Sequence, residues 1–113
     1  MILLITACSK EVPLLSTSEA SSHIGKEARV QGKVYLCHAC GSDPGAKWKL
    51  CLDGKPGEEP FAVIVPAELV EKLGPEKIKE WEGKQIEVHG VIGEFKGRPE
   101  IELSCLSCLK VNS

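Results

Sequence analysis

Residues 82–103, "EGKQIEVHGVIGEFKGRPEIEL", are the stretch of sequence that decides the fold. From Ile86 to Ile92, apolar or small residues alternate with residues that would face the opposite side. Alternation with a period of two is typical of a strand with one buried face. A tight turn follows, in which Gly97 is free to take a positive φ, and a second alternating segment ends at Leu103. The stretch therefore predicts a hairpin made by the last two main strands.

Two further alternating segments precede this hairpin. Residues 28–37 place Val30 and Val34 on one face and Cys37 on the other. Residues 47–52, "KWKLCL", place the leucines inward and Cys51 outward. Both segments predict half-buried strands with outward-facing cysteines.

A short helix is predicted in the middle of the chain. Residues 61–65, "FAVIV", are β-formers and too few for a helix, so they predict a third strand. The next residues, "PAELVEKLG", begin with Pro66 at a first helical position and end with Gly74 where a helix C′ residue belongs. The order of elements is three strands, a helix and two strands. It predicts an all-β, five-stranded OB-fold barrel with a short helix between strands three and four.

The same residues resemble a known family. "IGKEARVQGKV", "FAVIVP" and "EGKQIEVHGVIGEFKGRPEIEL" are similar to OB-fold domains of the anticodon-binding-like, nucleic-acid-binding-like family, as found in small bacterial lipoproteins. The resemblance spans roughly residues 24–111 and implies an OB fold. It also implies nucleic acid as a ligand, although OB barrels bind many kinds of partner. The cysteines are not part of that family pattern.

The first residues, "MILLITAC", resemble the lipobox of bacterial lipoproteins, with Ile5, Thr6 and Ala7 before Cys8. The resemblance implies lipidation of Cys8 and a polar tether after it. No basic residue precedes the apolar run, and the run is shorter than a usual signal-peptide core. A short apolar strand is the alternative. The expected organisation is a lipoprotein-type signal remnant and tether over residues 1–23 and an OB-fold domain over residues 24–113.

The cysteines raise a separate question, since the chain has 6 of them in 113 residues. Two pairs, Cys37 with Cys40 and Cys105 with Cys108, have the C-x-x-C spacing of zinc knuckles. Two knuckles supply four thiolates in the tetrahedral geometry that Zn²⁺ prefers. These four residues are the predicted zinc ligands, provided that the barrel brings the two pairs together.

Disulfides are the alternative to zinc, because an exported protein meets an oxidising compartment. In that case Cys37 and Cys51 form a cross-strand bridge, and Cys40 pairs with Cys105 or Cys108. Zinc and disulfides both remain open on the sequence. Thiol–disulfide exchange ranks last, because neither C-x-x-C opens a helix that would lower a thiol pKa.

A binding face is predicted around one outward-facing aromatic residue. Tyr35 lies near Lys33, Lys47 and Lys49 on neighbouring predicted strands, so these four form the candidate ligand-binding set. The formal net charge is −2, which argues against non-specific binding to nucleic acid but not against a local basic patch.

The sequence shows no convincing catalytic constellation, so we expect a binding module and not an enzyme. Nucleic acid is the partner that the family resemblance implies. The rival partner is another envelope protein, docked without nucleic acid. We expect lipid anchoring on the periplasmic side of a bacterial envelope, with no transmembrane helix, and a cytoplasmic location if the lipobox interpretation fails.

Overall fold

The computed structural model describes residues 12–42 and 45–112, so the predicted lipidation site at Cys8 lies outside the described residues. Within those ranges the chain is mostly β-structure. The strands are β1 (Leu14–Ser16), β2 (Glu27–Ala39), β3 (Trp48–Leu52), β4 (Phe61–Val65), β5 (Gln85–Val91), β6 (Gly93–Phe95), β7 (Arg98–Glu102) and β8 (Leu109–Val111). The helices are α1 (Ala67–Leu73) and α2 (Pro75–Lys79), and short 3-10 turns cover Ala20–His23 and Leu106–Cys108.

The strands form one mixed sheet in the order β6-β7-β4-β3-β2-β5-β8. Strand β2 is 13 residues long and takes part in both halves of the sheet. Its first half pairs antiparallel with β5, and its second half pairs antiparallel with β3. Strands β4 and β7 pair in parallel, while β1 lies parallel to β2 and off the main path. This arrangement is consistent with an OB-fold.

The five predicted main strands are present as β2, β3, β4, β5 and β7, and the helix predicted after the third of them is confirmed as α1 with α2 behind it. In the part of the chain that the structure describes, no strand ladder joins β5 directly to β7. Strand β6, at one end of the path, is instead linked along the chain to β5, the second strand from the other end, since Ile92 alone separates β5 from β6.

A β-bulge in β2 changes which side chains face inward. The register with β3 shifts between Val34, which pairs with Leu52, and Leu36, which pairs with Cys51. An extra residue in one strand reverses the alternation beyond it. Cys37 is therefore fully buried, and the prediction that it faces outward is wrong.

The core lies between the two halves of the sheet and the helices. Its largest fully buried side chains include Phe61, Leu50, Leu52, Ile78, Ile86, Ile92, Ile101 and Leu103. Trp48 and Trp81 are partly buried against this core. Gly90 lets β5 approach β7 closely, because a Cβ there would lie 2.9 Å from Ile101 Cγ2.

Helix α2 is joined to the second half of β2 at Cys37. The Cys37 thiol donates to the Ile78 carbonyl at 3.4 Å, and the Cys37 amide donates to the Glu82 carboxylate at 2.7 Å. Lys79 Nζ donates to the Cys37 carbonyl at 3.1 Å. These three bonds fix the helix against the sheet near the end of β2, where the following loop begins.

The packed part of the chain begins earlier than the predicted boundary at residue 24. Leu15 in β1 is buried, and Thr17 Oγ1 donates to Asp53 Oδ2 at 2.7 Å. The other carboxylate oxygen of Asp53 accepts from the Lys33 amide at 2.9 Å. Part of the predicted tether is thus a docked strand. None of the helices in the described ranges is long and apolar enough to cross a membrane.

Candidate functional site

The β6–β7 hairpin presents the first candidate surface. Its two turn residues, Lys96 and Gly97, have φ values of 53° and 81°, the left-handed geometry that a two-residue hairpin turn favours. The side chain of Phe95, just before the turn, is 58% exposed. Lys96 Nζ lies 5.3 Å from the centroid of the Phe95 ring, within cation–π range. The turn therefore holds an aromatic face and a cation together in solvent.

A buried carboxylate organises the cations beside this hairpin. Glu59 is 3% exposed, and its carboxylate contacts Lys49 Nζ at 2.7 Å and Arg98 Nη1 at 3.3 Å. Its Oε1 also accepts from the Gly57 amide at 2.8 Å, and Arg98 donates to the Gly57 carbonyl. Lys49 and Arg98, which come from different strands, are thereby held at one place.

The titration behaviour of this pair follows from its contacts. Burial by itself raises the pKa of Glu59, but the hydrogen bonds and charge of Lys49 outweigh it, and the pKa lies below its usual value. Burial by itself lowers the pKa of Lys49, but Glu59 outweighs it, and the pKa lies above its usual value. Both shifts favour the charged pair at neutral pH.

Together these residues line a pocket of about 320 Å³ between the hairpin and the strands beside it. We call the surface of Lys47, Lys49, Glu59, Phe95, Lys96, Arg98 and Glu100 the hairpin face. Burial raises the pKa of Glu100, while the charges of Lys47 and Lys49 act in the opposite direction. Basic side chains outnumber acidic ones on this face, so it is a local concentration of positive charge.

The predicted ligand-binding set is divided between two surfaces. Lys47 and Lys49 belong to the hairpin face, while Lys33 and Tyr35 line a separate pocket of about 250 Å³ with Asp53 and Gly83. We call this second surface the Tyr35 pocket. Phe95, Lys96 and Arg98 also line the hairpin face but were not among the predicted ligand-binding residues. The signal for them was present, since an aromatic and two cations flank the predicted hairpin turn in "FKGR".

The four predicted zinc ligands are not brought together. The sulfurs of Cys105 and Cys108 are bonded to each other. Among residues 12–42 and 45–112, no group of three or more histidine, cysteine or acidic side chains has the arrangement to hold a metal ion. The predicted zinc site is therefore not formed in this structure.

The predicted disulfide pairing is not formed either, because Cys37, Cys40 and Cys51 have no disulfide partner within the described residues. Burial, and then the charge of Glu82, raises the pKa of the Cys37 thiol to about 12. Burial also raises the pKa of Cys51, which was predicted to face solvent and is fully buried. Cys40 is exposed. Burial therefore favours the neutral thiol at Cys37 and Cys51, and a neutral thiol is a poor nucleophile.

Comparison with known proteins gives structural matches and no sequence match. No protein-family model and no curated protein matches the chain. A protein assigned as an aspartyl-tRNA synthetase from Leishmania major matches with a TM-score of 0.57 and 12% identity, over 98% of this chain and 22% of the synthetase chain. This likeness supports the OB fold that the sequence predicts. The chain spans less than a quarter of that protein.

Two further structures match at a TM-score of 0.43, a value too low to carry an argument. One is the Stn1–Ten1 complex of S. pombe, at 14% identity over 91% of this chain and 78% of that chain. The other is a protein assigned as a nucleic acid-binding lipoprotein from Klebsiella pneumoniae, at 15% identity over 86% of this chain and 79% of that chain.

Proposed function

We propose that this chain is a non-enzymatic binding module of the OB type, and that it holds single-stranded nucleic acid on the hairpin face. The observation that carries the proposal is the exposed Phe95 ring beside Lys96, next to the Lys49 and Arg98 cations that Glu59 holds. OB folds bind oligonucleotides on the face of their second and third strands and on the loop between the fourth and fifth. Here these correspond to β3, β4 and the β6–β7 turn.

The chemistry of the hairpin face suits a single strand. A base stacks on an exposed aromatic ring with about 1–3 kcal/mol, and this stacking tolerates any base. The phosphates on either side would contact Lys96 and the exposed Lys47. Because Glu59 already orients Lys49 and Arg98, little side-chain entropy is lost when a phosphate approaches them.

The proposal includes a closed barrel. Strands β5 and β6 are separated by one residue, with β5 paired to β2 and β6 paired to β7. Taken as one bent strand, they connect β7, near one end of the strand order, with β2, near the other. Closure in this way keeps the β6–β7 turn at a fixed position next to β3 and β4.

We also propose a lipid anchor at Cys8 and a place in a bacterial envelope. The support is the run Ile5, Thr6, Ala7 and Cys8 in the sequence. Expression in a bacterial host with a labelled fatty acid tests it. The label is expected on the wild-type protein and absent from Cys8→Ser. An unlabelled wild-type protein would overturn the proposed anchor and leave the binding proposal unaffected.

Binding is tested by fluorescence anisotropy with a labelled single strand of about 12 nucleotides, within the range of OB site sizes. We expect Phe95→Ala to weaken binding about 5- to 150-fold, the range that corresponds to one stacked base. The matched control is Tyr35→Ala, which removes an aromatic ring of nearly equal exposure from the Tyr35 pocket. An equal loss of oligonucleotide affinity in both variants would contradict the proposal. So would a wild-type protein that does not bind the oligonucleotide at 50 mM salt.

The second candidate function is docking of another envelope protein on the same face. It is favoured by the net charge of −2 and by Glu100, which lies among the cations and would repel a phosphate. This candidate predicts that oligonucleotide binding is absent at low salt. It also predicts that chemical cross-linking in the native envelope joins Lys96 or Lys47 to a protein.

A further inference from the structure

The Cys105–Cys108 disulfide has no role in the proposed nucleic-acid site. It closes a loop over the 3-10 turn Leu106–Cys108 and leads directly into β8, which pairs with β5. A bridge over so short a loop removes little entropy from the unfolded chain, so it stabilises less than a long-range bridge does. Both cysteines are half-buried, and each therefore keeps some contact with solvent.

A pocket of about 250 Å³ opens beside this disulfide, and Cys108 forms part of its wall. The opposite wall is made by the end of β5 and the start of β2, with His89 and Glu27 facing the same space. We call this the exchange pocket, with lining residues Glu27, His89, Gly90, Val91, Ser104 and Cys108. It places a disulfide and a titratable side chain at one opening to solvent.

His89 is held in one tautomer by its neighbour. Its Nε2 lies 2.6 Å from a carboxylate oxygen of Glu27. A carboxylate only accepts, so Nε2 donates to Glu27, and Nδ1 is the ring nitrogen that offers a lone pair when the imidazole is neutral. Imidazole is the side chain that exchanges protons near neutral pH, and a carboxylate partner that fixes its tautomer is the usual way to orient it as a base.

Serine hydroxyls lie against both sulfurs. Ser107 Oγ is 3.4 Å from Cys105 Sγ, and Ser104 Oγ is 3.8 Å from Cys108 Sγ. A bridged sulfur has no proton, so both hydroxyls act as donors. A donor at Cys105 would stabilise the negative charge that develops if Cys105 becomes the leaving group.

We propose that the exchange pocket is a thiol–disulfide exchange site whose substrate is a dithiol carried by a peptide or protein segment. The first substrate thiol gives its proton to His89 Nδ1, and its sulfur forms a bond to Cys108 Sγ. The Cys105–Cys108 bond breaks, and Cys105 leaves as a thiolate with a hydrogen bond from Ser107. It is then protonated through solvent by the imidazolium.

The second substrate thiol completes the exchange. It attacks the substrate sulfur of the mixed disulfide and releases Cys108 as a thiol. The substrate is oxidised by two electrons to a disulfide, and Cys105 and Cys108 are reduced to thiols. The same steps in reverse, with a partner disulfide as oxidant, restore the bridge.

The surface around the opening selects the kind of substrate. Val91, which lines the pocket, is 60% exposed, and Leu106, which lies between the two cysteines in sequence, is 42% exposed. Apolar side chains next to the substrate cysteine would pack on them. A free small thiol would lack that contact, so a cysteine within an apolar peptide is the better substrate.

The first test measures how fast a dithiol reduces the bridge in the folded, full chain. Dithiothreitol is the probe, samples are quenched by alkylation, and the peptide carrying Cys105 and Cys108 is read by mass spectrometry, which separates it from the other cysteines. The comparison is a synthetic peptide of residues 103–110 with the same bridge. We expect the folded chain to react at least about 10-fold faster, a threshold below the roughly 10²–10⁴-fold that a positioned general base typically contributes. Equal rates would overturn the proposal.

Variants then assign the roles. His89→Gln is expected to slow reduction of the bridge about 10-fold, and Ser107→Ala to slow it less. The matched control is His23→Gln, the same chemical change on the 3-10 turn that precedes β2, and it should leave the rate unchanged. A His89→Gln rate equal to wild type, with the fold intact by circular dichroism, would overturn the role of His89.

Trapping identifies the attacked sulfur. In Cys105→Ser the remaining thiol of the pair is Cys108, and in Cys108→Ser it is Cys105, and labelling is read on the peptide that carries this position, apart from the other cysteines. Incubation with an apolar peptide disulfide is expected to label Cys108 faster than Cys105. Faster labelling of Cys105 would contradict the assignment. Oligonucleotide binding by the same variants is expected to match wild type, so this proposal and the nucleic-acid proposal can fail separately.

Discussion

The hairpin face and the Tyr35 pocket each offer an exposed aromatic ring next to lysine, yet they differ in what their carboxylate does. Phe95 and Tyr35 are 58% and 57% exposed. Beside Phe95, the buried Glu59 carboxylate holds two cations toward the surface. Beside Tyr35, the Asp53 carboxylate accepts from a backbone amide and from Thr17, and so holds strands together. An exposed aromatic residue is therefore a stronger indication of a site when the carboxylate beside it holds cations in position than when that carboxylate is bonded to the backbone.

The largest effect should come from removing the carboxylate of the Tyr35 pocket. Asp53→Ala deletes two hydrogen bonds to one carboxylate and leaves alanine at a φ of 61°. Losing two charge-assisted hydrogen bonds and straining the alanine backbone should together lower the unfolding free energy by about 3 kcal/mol. Urea denaturation measures this change. Asp53→Asn is the matched control and should lose less, because asparagine tolerates positive φ and keeps an acceptor.

Oligonucleotide affinity per folded molecule should be unchanged in Asp53→Ala. If the oligonucleotide affinity of Asp53→Ala fell as far as that of Phe95→Ala, the hairpin face and the Tyr35 pocket would not be independent surfaces.

An intermediate effect is expected from Glu59→Gln. The amide keeps one acceptor but loses the charge that holds Lys49 and Arg98, so the unfolding free energy should fall by about 1.5 kcal/mol. Oligonucleotide binding should weaken several-fold, because both cations lose their fixed position. Tighter binding in Glu59→Gln would show that the carboxylate repels the ligand more than it organises the cations.

The smallest expected effect is a loss of folding stability at acid pH. The folded-state pKa of Glu59 is depressed, so its contribution to stability is fully present above the unfolded pKa and is lost as the pH falls through the folded value. The melting temperature should therefore drop below about pH 4.5, the usual range of a glutamate. The melting temperature of Glu59→Gln should fall less steeply over the same pH range. An identical pH dependence in the variant and the wild type would show that Glu59 does not contribute to acid sensitivity.

The local parts of the fold were predictable, because they depend on patterns within one segment. The strands around Ile86 and Phe61, the helix after Pro66 and the turn at Gly97 all follow from periodicity and turn chemistry. Local pattern was also sufficient to indicate the hairpin that carries Phe95.

The long-range parts were not predictable. Nothing in "VYLC" marks the bulge that turns Cys37 inward, since each of those residues suits a strand. The docking of Leu15 depends on a pairing with β2, and the burial of Glu59 depends on cations from β3 and β7. The two C-x-x-C motifs have equal spacing, yet one is split between buried and exposed positions and the other is bridged.

Titration of the ¹⁵N-labelled protein with a single-stranded oligonucleotide tests the central claim most directly, because one spectrum reports both surfaces. We predict that the amide chemical-shift changes concentrate at Phe95, Lys96 and Arg98 and along the neighbouring part of β3, and that the amide signals of Lys33 and Tyr35 do not move. Shifts concentrated at Lys33 and Tyr35, or no shifts at low salt, would contradict it.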